Sequence, residues 1–194
     1  MSRGRSEWDE LSTKERAKLL GRAGAPALGV SLRVTDDGEI CARSNHVLKS
    51  YWDQPEATEE AIRSGWFHTG DGGYIDEENY VTIADRKKDV IISGGENVSS
   101  IEVEDVLFAH DQVTEVAVIG VPDEKWGETV KALVVVQGSI SETELIEYCR
   151  EKLAHYKCPT SIEFREELAR TATGKLQKYK LRAPYWEGHE KQVN

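Results

Sequence analysis

The sequence has only three cysteines, Cys41, Cys149 and Cys158, and one methionine among its 194 residues. An odd number of thiols at spacings that match no metal motif leads us to expect a reducing, cytoplasmic setting. Basic residues are in deficit as well: 25 against 35 acidic give a formal net charge of −10. That argues against a binder of duplex nucleic acid, which needs a basic face. It fits a chain kept apart from its copies by like charge. Long apolar runs are missing. The longest, such as residues 132–136, are far too short to cross a bilayer. The first twenty residues hold no apolar core of the signal-peptide kind. The five histidines, at positions 46, 68, 110, 155 and 189, show no ligand spacing, so no protein-held metal site is expected. No Ser-His-Asp or Cys-His arrangement is evident, and neither the P-loop nor the dinucleotide fingerprint occurs. There is no internal repeat and no low-complexity linker.

What is present falls into two parts. Residues 1–24 are charged and polar, but Ser12 with Glu15 three residues later makes a capping box for a short helix, which Gly21, Gly24 and Pro26 then break. Residues 28–34 alternate apolar and polar, Asp36-Asp37-Gly38 turns the chain, and residues 39–42 return as a hairpin. Pro55 opens a short acidic helix running to residue 62. Residues 72–75 and 80–83 flank the turn Asp76-Glu77-Glu78-Asn79 as a second hairpin.

After residue 85 the pattern changes. Val90-Ile91-Ile92 reads as a short buried strand ending at Gly94-Gly95. Ser99 or Ser100 caps a helix with Ile101, Val103, Val106, Leu107 and Phe108 on its apolar side. Strands follow at 113–121 and 129–136. Ser141-Glu142-Thr143-Glu144 caps a helix to residue 155, Pro159 ends it, and residues 161–165 form a last strand. The expected fold class is therefore α+β: a β-rich subdomain over residues 1–85 and a small mixed α/β domain over residues 86–194.

Four short segments carry chemistry, and each also has an ordinary explanation. In Thr69-Gly70-Asp71 a carboxylate on a tight turn accepts both hydroxyls of a ribose, or is a plain Gly-Asp turn. Gly94-Gly95, placed between a strand and a helix, suits a phosphate or a thin passing ligand, or is a tight connection. Lys175, in the small polar loop Thr171-Ala172-Thr173-Gly174-Lys175-Leu176, is a cation delivered to a phosphate when a flexible loop closes, or a solvated charge. Trp126, in a polar loop between two strands, is a plug for a satellite core or an exposed stacking surface.

Taken in order, these segments resemble one family. Gly65-Trp66-Phe67-His68-Thr69-Gly70-Asp71 comes first, then Asp85-Arg86-Lys87-Lys88-Asp89-Val90-Ile91-Ile92-Ser93-Gly94-Gly95-Glu96-Asn97 and Ile101-Glu102-Val103-Glu104. Pro122-Asp123 with Trp126-Gly127-Glu128 and Thr173-Gly174-Lys175 complete the set. Together, over residues 24–182, they are similar to the C-terminal part of the adenylate-forming superfamily, and most similar to its AMP-forming acyl-CoA synthetases, the fatty-acid and related carboxylate–CoA ligases.

The resemblance implies a two-step reaction. A carboxylate attacks ATP to give an acyl-adenylate and pyrophosphate; the thiol of coenzyme A then displaces AMP. It implies a large N-terminal domain, whose β-rich end is residues 1–85, and a rotating C-terminal lid. By the same resemblance Asp71 holds the ribose, Arg86 contacts the ribose or phosphate region, and Lys88 is the hinge. Lys175 is the adenylation lysine, Gly94 and Gly95 line the pantetheine tunnel, and Trp126, Tyr156 and Lys157 lie along the coenzyme A path. Mg2+ arrives with ATP rather than in a site of this chain.

The chain departs from the family pattern in two places: Ala169 stands where proline is usual before the lysine loop, and Cys158 and Thr160 flank Pro159 where basic residues are common. The phosphate loop, the Tyr-Gly-x-Thr-Glu segment and the acyl pocket expected upstream are not among these residues. The chain is therefore expected to be inactive alone and to need the upstream large domain. An alternative is a stand-alone nucleotide- and coenzyme A-binding lid acting in trans, and a third is a non-functional remnant.

Overall fold

The structure, a computed structural model, describes residues 4–189. The chain divides into two compact units, Met1–Lys88 and Asp89–Asn194; the sequence pattern had placed the change after residue 85.

The first unit begins with a 3-10 turn, Ser6–Glu10, whose Trp8 is buried. Helix α1, Thr13–Leu20, starts as its sequence dictates: the Ser12 hydroxyl accepts from the Glu15 N–H, and the Glu15 carboxylate accepts from the Ser12 N–H. The Arg22 guanidinium then lies 3.9 Å from the centroid of the Tyr80 ring and pairs with Asp76 at 2.7 Å, which ties the N-terminal segment to the sheet.

That sheet is antiparallel. Its strands are β1 (Ser31–Val34), β2 (Glu39–Arg43), β3 (Ile62–Arg63), β4 (Trp66–Ile75) and β5 (Val81–Arg86), and the short helix α2 (Pro55–Ala61) precedes β3. Strand β4 is the hub. Its first residues pair with both β2 and β3, and residues 71–75 pair with β5. The expected second hairpin is thus longer than its apolar alternation suggested. Thr69-Gly70-Asp71 lies inside β4 rather than on a turn. Gly70 sits at φ 73° and the register shifts between Gly72 and Gly73, so the strand kinks here without ending.

The second unit holds strands β6 (Ile91–Ser93), β7 (Glu96–Val98), β8 (Val113–Asp123), β9 (Gly127–Val136) and β10 (Ser161–Phe164). The order is β10-β9-β6-β7, with β8 also paired to β9, and β10 runs parallel to β9. Both faces of this sheet are covered. Val116, Val118, Val130, Ala132 and Val134 face helices α3 (Ser100–Phe108) and α4 (Glu142–Arg150), which contribute Val103, Leu107, Leu145 and Cys149. The alternating residues Ala117, Ile119 and Leu133 face Leu181 and Tyr185 of helix α5 (Lys178–Trp186). Two-sided burial is why β8 and β9 read as unbroken apolar runs instead of alternating ones.

Three expectations change here. The pair Gly94-Gly95 is not a strand-to-helix connection, because β7 intervenes and α3 begins only at Ser100, capped by Ser99. Helix α4 stops at Arg150, not at residue 155: the N–H groups of Lys152 and Leu153 both turn back to the Cys149 carbonyl, letting Leu153 reach the core, and a 3-10 turn, His155–Lys157, follows. Phe108, assigned to the apolar side of α3, is 60% exposed. Helix α5 had no counterpart in the sequence pattern. It carries Pro184, which cannot donate a backbone hydrogen bond, and Leu181 and Tyr185 supply its apolar face. No helix among the described residues is long and apolar enough to cross a membrane.

Leu145 is fully buried between α4 and the sheet. Leu145→Ala is expected to destabilise the chain by about 2–5 kcal/mol, the range for a buried leucine that leaves a partly collapsed cavity, read from urea unfolding followed by circular dichroism.

Candidate functional site

The ribose candidate lies where β4 and β5 face each other. Asp71 and Arg86 are register partners, with Arg86 Nε 3.5 Å from Asp71 Oδ1. Both side chains are partly open, 32% and 60% exposed, so the pairing is loose and the carboxylate remains accessible. The backbone around it is fixed more firmly. The Thr69 hydroxyl donates to the Ile40 carbonyl at 2.6 Å and accepts from the Asp71 N–H at 3.1 Å.

Beneath this strand sits a buried carboxylate that sequence reasoning missed. Glu39 is 4% exposed; its Oε1 accepts from the Gly70 N–H at 3.0 Å, and its Oε2 lies 3.0 Å from His68 Nδ1. Burial alone would raise its pKa, but the hydrogen bonds from His68 and Gly70, with the charge of Lys87, outweigh that and hold it below the ordinary carboxylate value. Glu39, Cys41 and His68 bring three metal-ligand atoms within 4.8 Å of one another, a grouping that histidine spacing did not reveal. Cations of the protein already stand there: Arg63 Nη2 is 2.9 Å from His68 Nδ1, and Lys87 Nζ is 3.7 Å from Glu39. No local pattern marks Glu39. A glutamate just after Asp-Asp-Gly reads as solvent-facing, and only its pairing across β4 shows otherwise.

The hinge candidate follows β5. Its two aspartates are turned away from water. Asp85 is 3% exposed and accepts from the Arg86 N–H at 2.7 Å; Asp89 is paired with Arg182 at 3.4 Å and its side chain is only 12% exposed. Arg86, Lys87 and Lys88 between them are exposed. Lys87 is nonetheless held, by Asp37 at 2.5 Å and Glu39 at 3.7 Å. A stretch with each end anchored in its own unit and an open middle suits a swivel, since a few residues absorb the whole φ/ψ change.

In the second unit, Gly94 and Gly95 form the two-residue turn of the β6–β7 hairpin, with φ of 61° and 87°. Positive φ at both central positions is the geometry that matches the twist of the flanking strands. Gly94 has a further reason to be glycine. A Cβ there would stand 2.7 Å from the Trp126 ring, and the Gly94 N–H donates to the Trp126 carbonyl at 3.0 Å. Trp126 is 48% exposed, on the turn between β8 and β9 that Asp123 closes by accepting from the N–H groups of Lys125 and Trp126. Gly95 and Trp126 line a groove of about 820 Å3, together with Lys131, Glu128, Tyr185 and Trp186. The last two come from α5 and were not anticipated.

Tyr156 and Lys157 are not among the residues lining that groove. They form the 3-10 turn after α4, where Tyr156 is 45% exposed and Lys157 donates to both carboxylate oxygens of Glu102, at 2.8 and 2.6 Å. Lys175 is also outside the groove. Its loop is more ordered than its small, polar composition implied. The Thr171 N–H donates to the Lys175 carbonyl, the Lys175 N–H to the Thr171 hydroxyl, and Arg170 to the Gly174 carbonyl while gripping Glu115 at 2.6 Å. The Lys175 side chain is exposed on this stiff tip, and among the described residues its ammonium has no hydrogen-bond or ion-pair partner.

Residues 102–175 match the family described as AMP-binding enzyme C-terminal domain. The long-chain-fatty-acid–CoA ligase FadD13 of Mycobacterium tuberculosis is 50% identical over 185 residues, covering 90% of this chain and 37% of that protein. The chain belongs to the adenylate-forming enzymes, as part of their C-terminal region. Another relative from this group, 4-hydroxybutyrate–CoA ligase 2 of Metallosphaera sedula, is 44% identical over 192 residues, or 92% of the chain and 35% of that protein. The ATP-bound MatB structure from Rhodopseudomonas palustris superposes with a TM-score of 0.82 at 38% identity, over 88% of this chain and 37% of that one. The chain thus spans a little over a third of the length of the adenylate-forming relatives it matches.

Within this chain, Asp71, Arg86 and Lys88 belong to the first unit, and Gly94, Gly95, Trp126, Tyr156, Lys157 and Lys175 to the second. The hinge-side ion pair offers a direct check. The hydrogen bond from Lys87, then that from Thr35, lowers the Asp37 carboxyl from 3.8 to about 2. A depressed folded pKa means that its stabilising contribution is complete above the unfolded value and is lost as pH falls through about 2. Lys87→Ala is expected to return the Asp37 titration, followed by carboxyl carbon NMR, toward 3.8.

Proposed function

We propose that this chain works in an AMP-forming acyl-CoA synthetase, in which a fatty or related carboxylate is activated by ATP and then transferred to coenzyme A. In this reading Asp71 accepts the ribose hydroxyls and Arg86 stands beside them at the ribose–phosphate edge. Lys88 is the pivot of the exposed middle of the swivel. Lys175 bridges the carboxylate and the α-phosphate during adenylation, where a preorganised cation in a closed site acts on developing charge. Gly94, Gly95 and Trp126 face the pantetheine arm during thioester formation, with Tyr156 farther along the coenzyme A path. Lys157, committed to Glu102, steadies the turn that carries Tyr156. Mg2+ enters with the ATP. An upstream large domain supplies the phosphate loop and acyl pocket, and the three buried free thiols support the expected cytoplasmic setting.

One observation carries this reading. The Lys175 ammonium, without a partner among the described residues, and the Gly95–Trp126 groove are distinct surfaces of a single unit. Two half-reactions that each need a different surface at one reaction centre call for a unit that is presented twice, and a swivel between Asp85 and Asp89 provides it.

Two measurements test the proposal. Lys175→Ala in the ligase should lower ATP–pyrophosphate exchange by about 10²–10³, while conversion of a preformed acyl-adenylate to thioester falls less than about fivefold. Equal losses in both half-reactions would reject the two-surface reading. The 194-residue chain alone, given ATP, a fatty-acid panel and coenzyme A, should form no adenylate; acyl-CoA production would overturn the requirement for a large domain.

A further inference from the structure

We propose that Glu39 is a positioning residue that links the ribose-binding strand to the hinge, so that Asp71 and the swivel are set by one buried carboxylate; this rests on the ligase reading above. Its two oxygens are divided between the two tasks. Oε1 accepts from the Gly70 N–H at 3.0 Å, which fixes the Thr69–Gly70 peptide, one peptide before the Asp71 N–H. Oε2 lies 3.7 Å from Lys87 Nζ, one residue before Lys88. The tight turn that precedes Glu39 reinforces both links. Asp37 in that turn pairs with Lys87 at 2.5 Å, and the Gly38 carbonyl accepts from the Gly73 N–H at 3.0 Å. Thr35 closes the turn itself, with its hydroxyl accepting from the Glu39 N–H at 2.9 Å and donating to Asp37.

His68 decides how Glu39 is aimed. Its Nδ1 lies 3.0 Å from Glu39 Oε2 and 2.9 Å from Arg63 Nη2, and one ring nitrogen cannot donate to the first while accepting from the second. An unprotonated Nδ1 would set its lone pair against those of a carboxylate with a side-chain exposure of 6%. The tautomer with the proton on Nδ1, donating to Glu39, avoids that, and the Arg63 guanidinium, 56% exposed, is then held there by Glu39 Oε2 at 3.8 Å. The carboxylate is then satisfied on one oxygen by the backbone of the ribose strand. The other oxygen is shared by His68, the hinge-side Lys87 and Arg63.

Such a carboxylate could instead be a simple fold stabiliser, and substitution separates the two roles. Glu39→Gln keeps an oxygen for the Gly70 N–H but removes one of the two carboxylate charges beside Lys87, leaving only Asp37. Glu39→Ala loses both. In the 194-residue chain, Glu39→Gln should leave the Gly70 amide resonance near its original position. Tryptic cleavage after Lys87 and Lys88 should quicken about fivefold, with little change in Tm. In the ligase, Glu39→Ala should raise the KM for ATP in pyrophosphate exchange about tenfold, the scale of one lost hydrogen bond to a charged group, with kcat changed less than about threefold. Glu39→Gln should restore that KM. The proposal is overturned if cleavage does not quicken in Glu39→Gln, if KM does not rise in Glu39→Ala, or if every change merely follows a fall in Tm. If the alanine variant does not fold, cleavage and the Gly70 resonance in Glu39→Gln decide. Absence of exchange in the unsubstituted ligase would sink the ligase reading instead, while the cleavage and amide measurements still judge Glu39.

Discussion

The second unit depends on the ladder between β8 and β9. Its register runs from Val113 opposite Val136 to Asp123 opposite Gly127, and both faces of it are buried. The candidate surfaces around Trp126, Tyr156 and the groove hang from this hairpin. Its turn presents Trp126, and its last pair places Gly127 against Ser93, which brings the Gly94-Gly95 turn onto the indole. On one face it seats α3 and α4, whose ends hold Glu102 and the turn with Tyr156 and Lys157. On the other it seats α5, which supplies the Tyr185 and Trp186 wall of the groove. A ladder with no solvated face has little freedom to slip, because a one-residue shift would exchange the residues facing α3 and α4 with those facing α5.

The first unit is organised around charge more than around apolar volume. Its buried apolar residues are few, with Trp8, Ile40, Cys41, Tyr80 and Val81 prominent, and buried Glu39 and Asp85 sit among them. A buried carboxylate is tolerated only when hydrogen bonds and opposite charge replace its lost water. Glu39 meets that condition through Gly70, His68 and Lys87. Its partners thereby become part of what orders the strand carrying Asp71. Electrostatic satisfaction and placement of the candidate ribose site are the same set of contacts.

Some of this was legible in the sequence because the cause was local. Ser12 with Glu15, and Ser141 with Glu144, each form the reciprocal cap that their spacing implies. The β-branched run at 129–136 is a strand, and Pro55 opens a helix. Other features were hidden because their cause is distant. Helix α5, rich in charge and interrupted by Pro184, has its apolar face completed by the sheet that Leu181 and Tyr185 cover. Strand β7, with exposed Glu96 and Asn97, has no apolar signature and exists through pairing with β6. Asp85 and Asp89 look like solvated hinge charges until their burial is seen.

The amino-acid sequence by itself settled the family, the α+β class and the identity of the candidate residues, because ordered motifs such as Gly94-Gly95 and Thr173-Gly174-Lys175 are properties of the chain's chemistry and spacing. The tertiary structure alone decided which of those residues share a surface. Trp126 and Gly95 meet across a groove closed by α5, Lys175 stands outside it, and Lys157 is spent on Glu102. It also decided that Glu39 is buried and hydrogen-bonded, since a carboxylate's environment is made by strands and turns far away in sequence. Contacts spanning 31 residues to Gly70 and 29 to His68 leave no periodicity for a linear pattern to display.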